Sequence, residues 1–345
     1  MNTIIKEDIA AIINRFKDWG NFRNKTVLIS GANGFLPAYL VETFLSIDKS
    51  YNTKVIALVR SKQKAEKRFS HWLANSNLLI VEHDVCNEFS YPNTIDFIIH
   101  AASQASPKYY GTDPVGTLNA NVLGTINLMK LAKEKNVESF LYFSSGEVYG
   151  QVKAEDIPIN EDTFGYLNCA NVRACYGESK RMGENICVSY FHQFGVKAKI
   201  VRPFHTYGPG MALDDGRVFA DFVANIVNKQ NITLNSDGSA IRPFCYLTDA
   251  TLGFLTVLVN GENGQPYNIG NPNEEYSILD LANTLVNLYP ELKLKVIMNN
   301  KTDNNAYLKS PIQRNSPNID KAEKLNWSPL VGVKEGFKRT IESFK

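Results

Sequence analysis

The sequence predicts an α/β fold: a doubly wound parallel sheet followed by a smaller C-terminal lobe. Three observations lead there. From Lys25 onward, short continuous apolar runs alternate with stretches of helical periodicity, the pattern of strands buried on both faces. The first of those runs ends in a glycine turn that opens a helix. At 345 residues, 44% hydrophobic and 21% charged, the chain is long enough to bury a core without disulfides or metal.

Each element follows from local pattern. Ile5, Ile9, Ile12, Ile13 and Phe16 fall at helical spacing, so residues 4–19 are predicted to form an amphipathic helix ahead of the main domain. Thr26–Ser30 is the first strand and Pro37–Ser46 the helix after it. Lys54–Val59, Leu78–Val81, Phe97–His100 and Phe140–Phe143 are the next four strands, and Thr117–Lys135 is a long helix among them. After residue 205 the alternation loosens. Gly208-Pro209-Gly210 and Asp214-Asp215-Gly216 are turns, Phe219–Lys229 and Ile278–Leu288 helices, and Asn299–Asn305 a polar, mobile loop.

Composition excludes several classes. Lys+Arg 37 against Asp+Glu 35 leaves +2, too balanced for a nucleic-acid binder working through bulk charge. The five cysteines form no C-x-x-C pair and their number is odd, which reads as reduced thiols in a cytoplasmic protein. The five histidines lack zinc spacing, so no metal is expected. No apolar run reaches membrane-spanning length, and Glu7 and Asp8 stand where a signal peptide needs a basic start.

In parallel sheets of this kind, ligands bind beyond the carboxyl ends of the strands. The unusual residues lie there. Gly31-Ala32-Asn33-Gly34-Phe35-Leu36-Pro37 joins strand to helix, so its backbone N–H groups can meet a pyrophosphate. Pro37 replaces a third glycine, which a helix's first turn tolerates. The second strand ends in Arg60 with no acid beside it. This favours NADP, through a guanidinium–phosphate pair, over NAD; the plain alternative is a solvated basic patch with Lys62, Lys64, Lys67 and Arg68. Asp84 and Val85 are expected at the adenine. Ala101, Ala102 and Ser103 would let backbone approach the cofactor. The domains expected are therefore a helix over 1–24, a Rossmann-type NAD(P)-binding domain over 25–204, and a substrate lobe over 205–345 that returns at least once to the sheet.

Tyr176 and Lys180 form Y-x-x-x-K, which on a helix places both side chains on one face. A nearby ammonium and a nicotinamide cation would lower the phenol's pKa from about 10 toward neutrality, letting the phenolate take a hydroxyl proton while hydride leaves the same carbon. Ser145, after the fifth strand, is placed to orient that oxygen.

These stretches resemble the extended short-chain dehydrogenase/reductases of the nucleotide-sugar epimerase/dehydratase group, and within it most resemble the UDP-glucuronate decarboxylases. The shared segments include His100-Ala101-Ala102-Ser103, Glu147-Val148-Tyr149-Gly150, Arg173-Ala174-Cys175-Tyr176, Asp214-Asp215-Gly216-Arg217-Val218 and Arg242-Pro243-Phe244-Cys245-Tyr246. The resemblance implies Tyr176 as base for a sugar 4-hydroxyl, Lys180 as its activator, Ser145 as ligand of the same oxygen and Glu147 as an acid acting near C5. It adds Asn121, Pro203 and His205 to the cofactor set. Ser106, Arg217, Arg242, Tyr246 and Arg314 form the substrate set, and the arginines suit the nucleotide-sugar pyrophosphate. It also implies a homodimer. Gly146 departs from the acid of dehydratases and the serine of decarboxylases. His205 stands where asparagine is common, and Gly210 where the decarboxylases carry arginine. The activity expected is C4 oxidation to a 4-keto sugar followed by decarboxylation. A uronate epimerase, a 4,6-dehydratase, a 4-keto reductase and a non-catalytic nucleotide sensor remain as alternatives.

Overall fold

The computed structural model describes residues 1–299 and 312–345. In chain order its elements are α1 (Thr3–Arg15), β1 (Thr26–Ser30), α2 (Phe35–Ser46), β2 (Lys54–Val59), α3 (Lys62–Arg68), β3 (Leu78–Glu82), β4 (Phe97–His100), α4 (Lys108–Thr112), α5 (Pro114–Lys135), β5 (Ser139–Phe143), α6 (Ala174–Phe194) and β6 (Ala198–Pro203). They continue with β7 (Thr206–Tyr207), α7 (Val218–Val227), β8 (Ile232–Leu234), β9 (Ile241–Pro243), β10 (Cys245–Tyr246), α8 (Leu247–Asn260), β11 (Pro266–Ile269), β12 (Glu275–Ser277), α9 (Ile278–Asn287), β13 (Val296–Met298), α10 (Asp320–Glu323) and α11 (Val333–Glu342). The expected loop Asn299–Asn305 lies, apart from Asn299, outside the described residues.

Seven strands form one sheet in the order β11-β6-β5-β4-β1-β2-β3, every neighbour parallel. Side chains alternate across a strand, and each face is buried. On β1, Val27 and Ile29 enter a core shared with α1, α2 and α8, while Leu28 enters a second core beneath α5 and α6. Both faces being covered explains why these strands read as unbroken apolar runs.

Two differences from the expected elements have local causes. The helix after β1 begins at Phe35, two residues before Pro37. Gly34 caps it, and Pro37 falls in the first turn, where its missing N–H has no helical partner to lose. β6 lies outside the five expected strands, and Lys199 and Arg202 interrupt its apolar run. Both are buried with partners: Lys199 on the Ser139 hydroxyl at 2.7 Å, Arg202 on Glu184 at 2.6 Å.

The C-terminal third serves two cores. α8 and Trp327 pack with the sheet. α7, α9 and α11 surround a separate cluster that includes Phe219, Phe244 and Phe337. α1 is built into the junction. Asp8 is buried and accepts from Tyr246 (2.7 Å), Tyr39 (3.3 Å) and Arg339 (2.8 Å), tying α1 to α2, β10 and α11.

Candidate active site

The cleft is lined by the carboxyl ends of β1, β4 and β5. Gly31 turns the chain at φ +64°, and a Cβ there would stand 2.7 Å from the Ala102 Cα. Only glycine permits both that conformation and so close a backbone approach. The two turns are locked together by Ser30, whose Oγ accepts from the N–H groups of Ala101 (3.2 Å) and Ala102 (3.1 Å). With its acceptor capacity used, Ser30 donates to His100 Nδ1 at 2.8 Å. His100 is therefore neutral with its proton on Nε2, and burial followed by the nearby Lys180 charge holds its pKa down at about 3.

The cradle fits a dinucleotide. Bare backbone at Gly31, Ala101 and Ala102 faces the start of α2, and buried polar atoms without protein partners remain at Ser103 Oγ and Asn121 Oδ1. Asn33, Phe35 and Leu36 continue the turn, half-buried. Val85 is buried beside Gly124 of α5. Asp84 accepts from the Cys86 N–H at 2.9 Å, which with burial effects opposed holds its carboxyl below the usual range. Arg60 is exposed at the end of β2, its charge reaching Asp84.

The Tyr176 ring is buried in the first turn of α6 and stacked on Tyr110, centroids 5.1 Å apart at 15°. Lys180 follows one turn later. Its Nζ donates to the Phe143 carbonyl at 2.6 Å, fixing α6 against the end of β5, and lies 5.8 Å from the Tyr176 ring centroid. Asn121 on α5 donates to Ser179 Oγ at 2.9 Å, which in turn donates to the Tyr176 carbonyl at 3.0 Å. The helix bearing the pair is thus held on both sides.

Burial raises the Tyr176 phenol to about 12; its hydrogen bond with Ser145 and the Arg217 charge oppose that rise. Burial also weakens the Lys180 ammonium, lowering it to about 7. It can therefore exchange a proton near neutrality.

Ser145 caps the short turn Gly146–Tyr149, accepting from the Glu147 N–H at 3.2 Å. Glu147 pairs with Arg173 at 3.3 Å, and Arg173 lies 6.0 Å from the Tyr110 ring. Gly146 has a structural explanation. A Cβ there would meet the Phe204 ring at 2.9 Å, so the position faces a buried aromatic wall with no room for an acid.

The remaining expected residues divide. Ser106 donates to the Asp215 carbonyl, and Arg217 pairs with Asp215 at 2.6 Å, so both belong to one contact between the lobes. Pro203 ends β6, next to Phe204, whose N–H donates to Ile269 O at 2.9 Å. His205 adopts φ +30°, and its Nε2 lies 3.2 Å from Asn315 Oδ1. Burial and then the Arg242 charge keep it neutral, its pKa lowered to about 3.

Two substrate assignments, Tyr246 and Arg314, are corrected as the side chains are placed here, and Arg242 is positioned by backbone. Tyr246 is fully buried and bonded to Asp8. Arg314 forms a two-point pair with Glu275, at 2.9 and 2.6 Å, and its side chain is 44% exposed. Arg242 donates to the carbonyls of Ile241 (2.7 Å), Ile312 (2.7 Å) and Gln313 (3.1 Å). Sequence reading missed the Tyr110 stack and the Arg173–Glu147 pair. Arg173's place three residues before Tyr176 was the one available sign of the latter.

A parallel sheet of this strand order, a glycine cradle at its switch point and a Ser/Tyr/Lys trio define a dinucleotide-binding protein of the short-chain dehydrogenase type. The chain belongs to the NAD dependent epimerase/dehydratase family, whose profile matches residues 27–270. Similar curated proteins include UDP-glucuronic acid decarboxylase 3 of Arabidopsis thaliana, 35% identical over 93% of this chain and 90% of that one. UDP-glucuronic acid decarboxylase 1 of Danio rerio is 34% identical over 93% and 72%. Among solved structures, UDP-glucuronic acid 4-epimerase of Bacillus cereus, in complex with UDP-glucuronic acid and NAD, matches with TM-score 0.77 at 22% identity, covering 92% of this chain and 98% of that one. UDP-glucose 4-epimerase of Thermotoga maritima matches with TM-score 0.79 at 22% identity, with the same coverages.

Proposed function

We propose that this chain acts on UDP-glucuronate by oxidation at C4 and releases the C6 carboxylate as carbon dioxide. The observation that carries the reading is the buried Tyr176 phenol, bonded to Ser145 and one turn from Lys180, whose ammonium holds α6 to the end of β5. The two named decarboxylases, similar over nearly the whole chain, supply the substrate class.

Gly31–Leu36, Ala101–Ser103 and Asn121 would hold a nicotinamide dinucleotide, which would supply a positive ring and a reversible hydride acceptor, taking the C4 hydride and giving it back to C4 after carbon dioxide has left, so that a UDP-pentose forms with no net cofactor use. Tyr176 takes the O4 proton, and Ser145 holds that oxygen as the bond to hydrogen breaks. Lys180, poised near neutrality, passes the proton on. With O4 held as a ketone, the carboxylate lies β to a carbonyl and can leave. We assign proton return at C5 to Glu147, and its pairing with Arg173, which fixes the carboxyl group, supports that role. The aromatic wall at Gly146 and Phe204 opposes 4,6-dehydration, since the leaving hydroxyl would find no acid there.

Arg60, exposed with no hydrogen-bonded partner among the described residues, supports acceptance of NADP as well as NAD. Exposed Val115, Leu118 and Leu123 on α5 and Met182 and Val188 on α6 support a homodimer through those helices. A second reading, 4-epimerisation of the uronate, is favoured by one observation: Arg314 is engaged by Glu275, which removes an arginine the decarboxylase resemblance needs.

Incubating the protein with NAD and carboxyl-labelled UDP-glucuronate decides between them. Labelled carbon dioxide with a UDP-pentose is expected. UDP-galacturonate with the label retained would establish the second reading, and unchanged substrate would reject both.

A further inference from the structure

Arg68 ends α3, and its side chain is partly buried. Among the described residues its guanidinium has no hydrogen-bond or ion-pair partner. The Glu42 carboxylate acts on it only through space, because Glu42 accepts from His71 Nε2 (3.0 Å) and from Trp72 Nε1. A partly buried cation without a bonded partner is costly in the folded chain, and such a group persists where something else uses it.

Its surroundings indicate what that is. Arg68 Nη2 lies 2.9 Å from where a Cβ on Gly210 would stand, and Gly210 sits at φ +81°. The Gly208–Met211 turn is thus shaped to admit the guanidinium; almost any side chain at 210 would displace it. Arg68 also acts electrostatically on Tyr39 and Glu42 of α2. Those residues lie one and two turns beyond Phe35, the first residue of α2, whose start forms the cradle. The guanidinium is thus against the Gly210 turn and within electrostatic reach of the stripe of α2 that leads back to its N-terminal end.

We propose that Arg68 anchors the diphosphate of the bound dinucleotide, closing over it from the side of α3 and the Gly210 turn. This rests on the reading that the Gly31–Leu36 turn holds a dinucleotide. The group recognised is the diphosphate common to NAD and NADP, in distinction from Arg60, which stands at the end of β2 where a ribose phosphate would be read.

The test uses the full chain with Arg68→Met, Arg68→Lys and Arg60→Ala. Calorimetry measures affinity for NAD and NADP, and thermal melts are taken without dinucleotide. Arg68→Met is expected to weaken both dinucleotides alike, by about ten- to a hundredfold, the range of a charge-assisted hydrogen bond. Arg68→Lys recovers part of that loss, and Arg60→Ala affects NADP alone. Without dinucleotide, Arg68→Met leaves the Tm unchanged or raises it, because no protein partner is lost; a structural arginine would lower it. Unchanged affinity for both dinucleotides, a loss confined to NADP, or a lowered Tm without dinucleotide overturns the assignment. Wild-type protein that binds neither dinucleotide overturns the reading of the turn itself, and Arg68 with it.

Discussion

Around the Gly31 turn the surface proposed to hold a dinucleotide is largely main chain, whereas on the side of the C-terminal third the proposed ligand residues are side chains held by partners far away in sequence. Gly31, Ala101 and Ala102 present backbone, and one hydroxyl, Ser30, fastens them together. Arg242, by contrast, is positioned by carbonyls 70 and 71 residues away, and His205 by Asn315, 110 residues away. A cradle of backbone tolerates little change in its turns and much in its side chains. A pocket of paired side chains behaves the other way round, so its specificity can drift while the cradle stays fixed.

The sharpest way to break this contrast is Gly31→Ala. The added methyl meets the Ala102 backbone and the residue must hold φ +64°. We expect dinucleotide affinity to fall by about a hundredfold or more, measured by calorimetry, since strain and a displaced turn act together. An affinity within a fewfold of wild type would show that side chains, not backbone, carry the cradle.

The next largest effect lies where the two lobes join. Asp8→Ala strips Tyr246, Tyr39 and Arg339 of a shared acceptor. Chemical denaturation should show a loss of about 2 kcal/mol, because the buried Tyr246 and Tyr39 hydroxyls lose their acceptor and Arg339 keeps only Glu7 and the Ile4 carbonyl. Turnover per folded molecule should change little, since Tyr246 serves this junction.

A third prediction concerns pH. Lys180 titrates at about 7 when folded against an ordinary 10.5. Between those values the unfolded chain binds the additional proton, so stability rises with pH across that window. Lys180→Met lacks this term. Its stability relative to wild type should therefore be greater at pH about 6 than at pH about 9, by at least ~1 kcal/mol. An identical difference at both pH values would mean that Lys180 stays charged in the fold.

The smallest effect is expected of Arg314→Ala. An exposed pair with Glu275 contributes about 0–1 kcal/mol, and UDP-glucuronate turnover should stay within about threefold. A much larger loss of turnover would return Arg314 to the substrate set.

What the sequence disclosed follows the same division. The strands, the Gly31 turn and the Tyr176/Lys180 spacing are local, and periodicity or a short motif reports them. Pro37 fitted because the first helical turn has no N–H to lose. β6 escaped notice because its charges are neutralised only by tertiary partners such as Glu184. Tyr246 was misassigned for the same reason: its partner Asp8 lies 238 residues away, beyond any sequence window. The Tyr110 stack on Tyr176 and the fit of Phe204 against Gly146 are likewise products of the folded packing.

The central claim is that the Tyr176 phenol takes the O4 proton as hydride leaves C4. Rapid mixing of NAD-loaded protein with UDP-glucuronate, followed by nicotinamide absorbance, tests it most directly. Wild-type protein should show a burst of reduced nicotinamide, and Tyr176→Phe should slow that burst by about a hundredfold or more while still binding both ligands. A burst of unchanged rate in Tyr176→Phe would contradict the account.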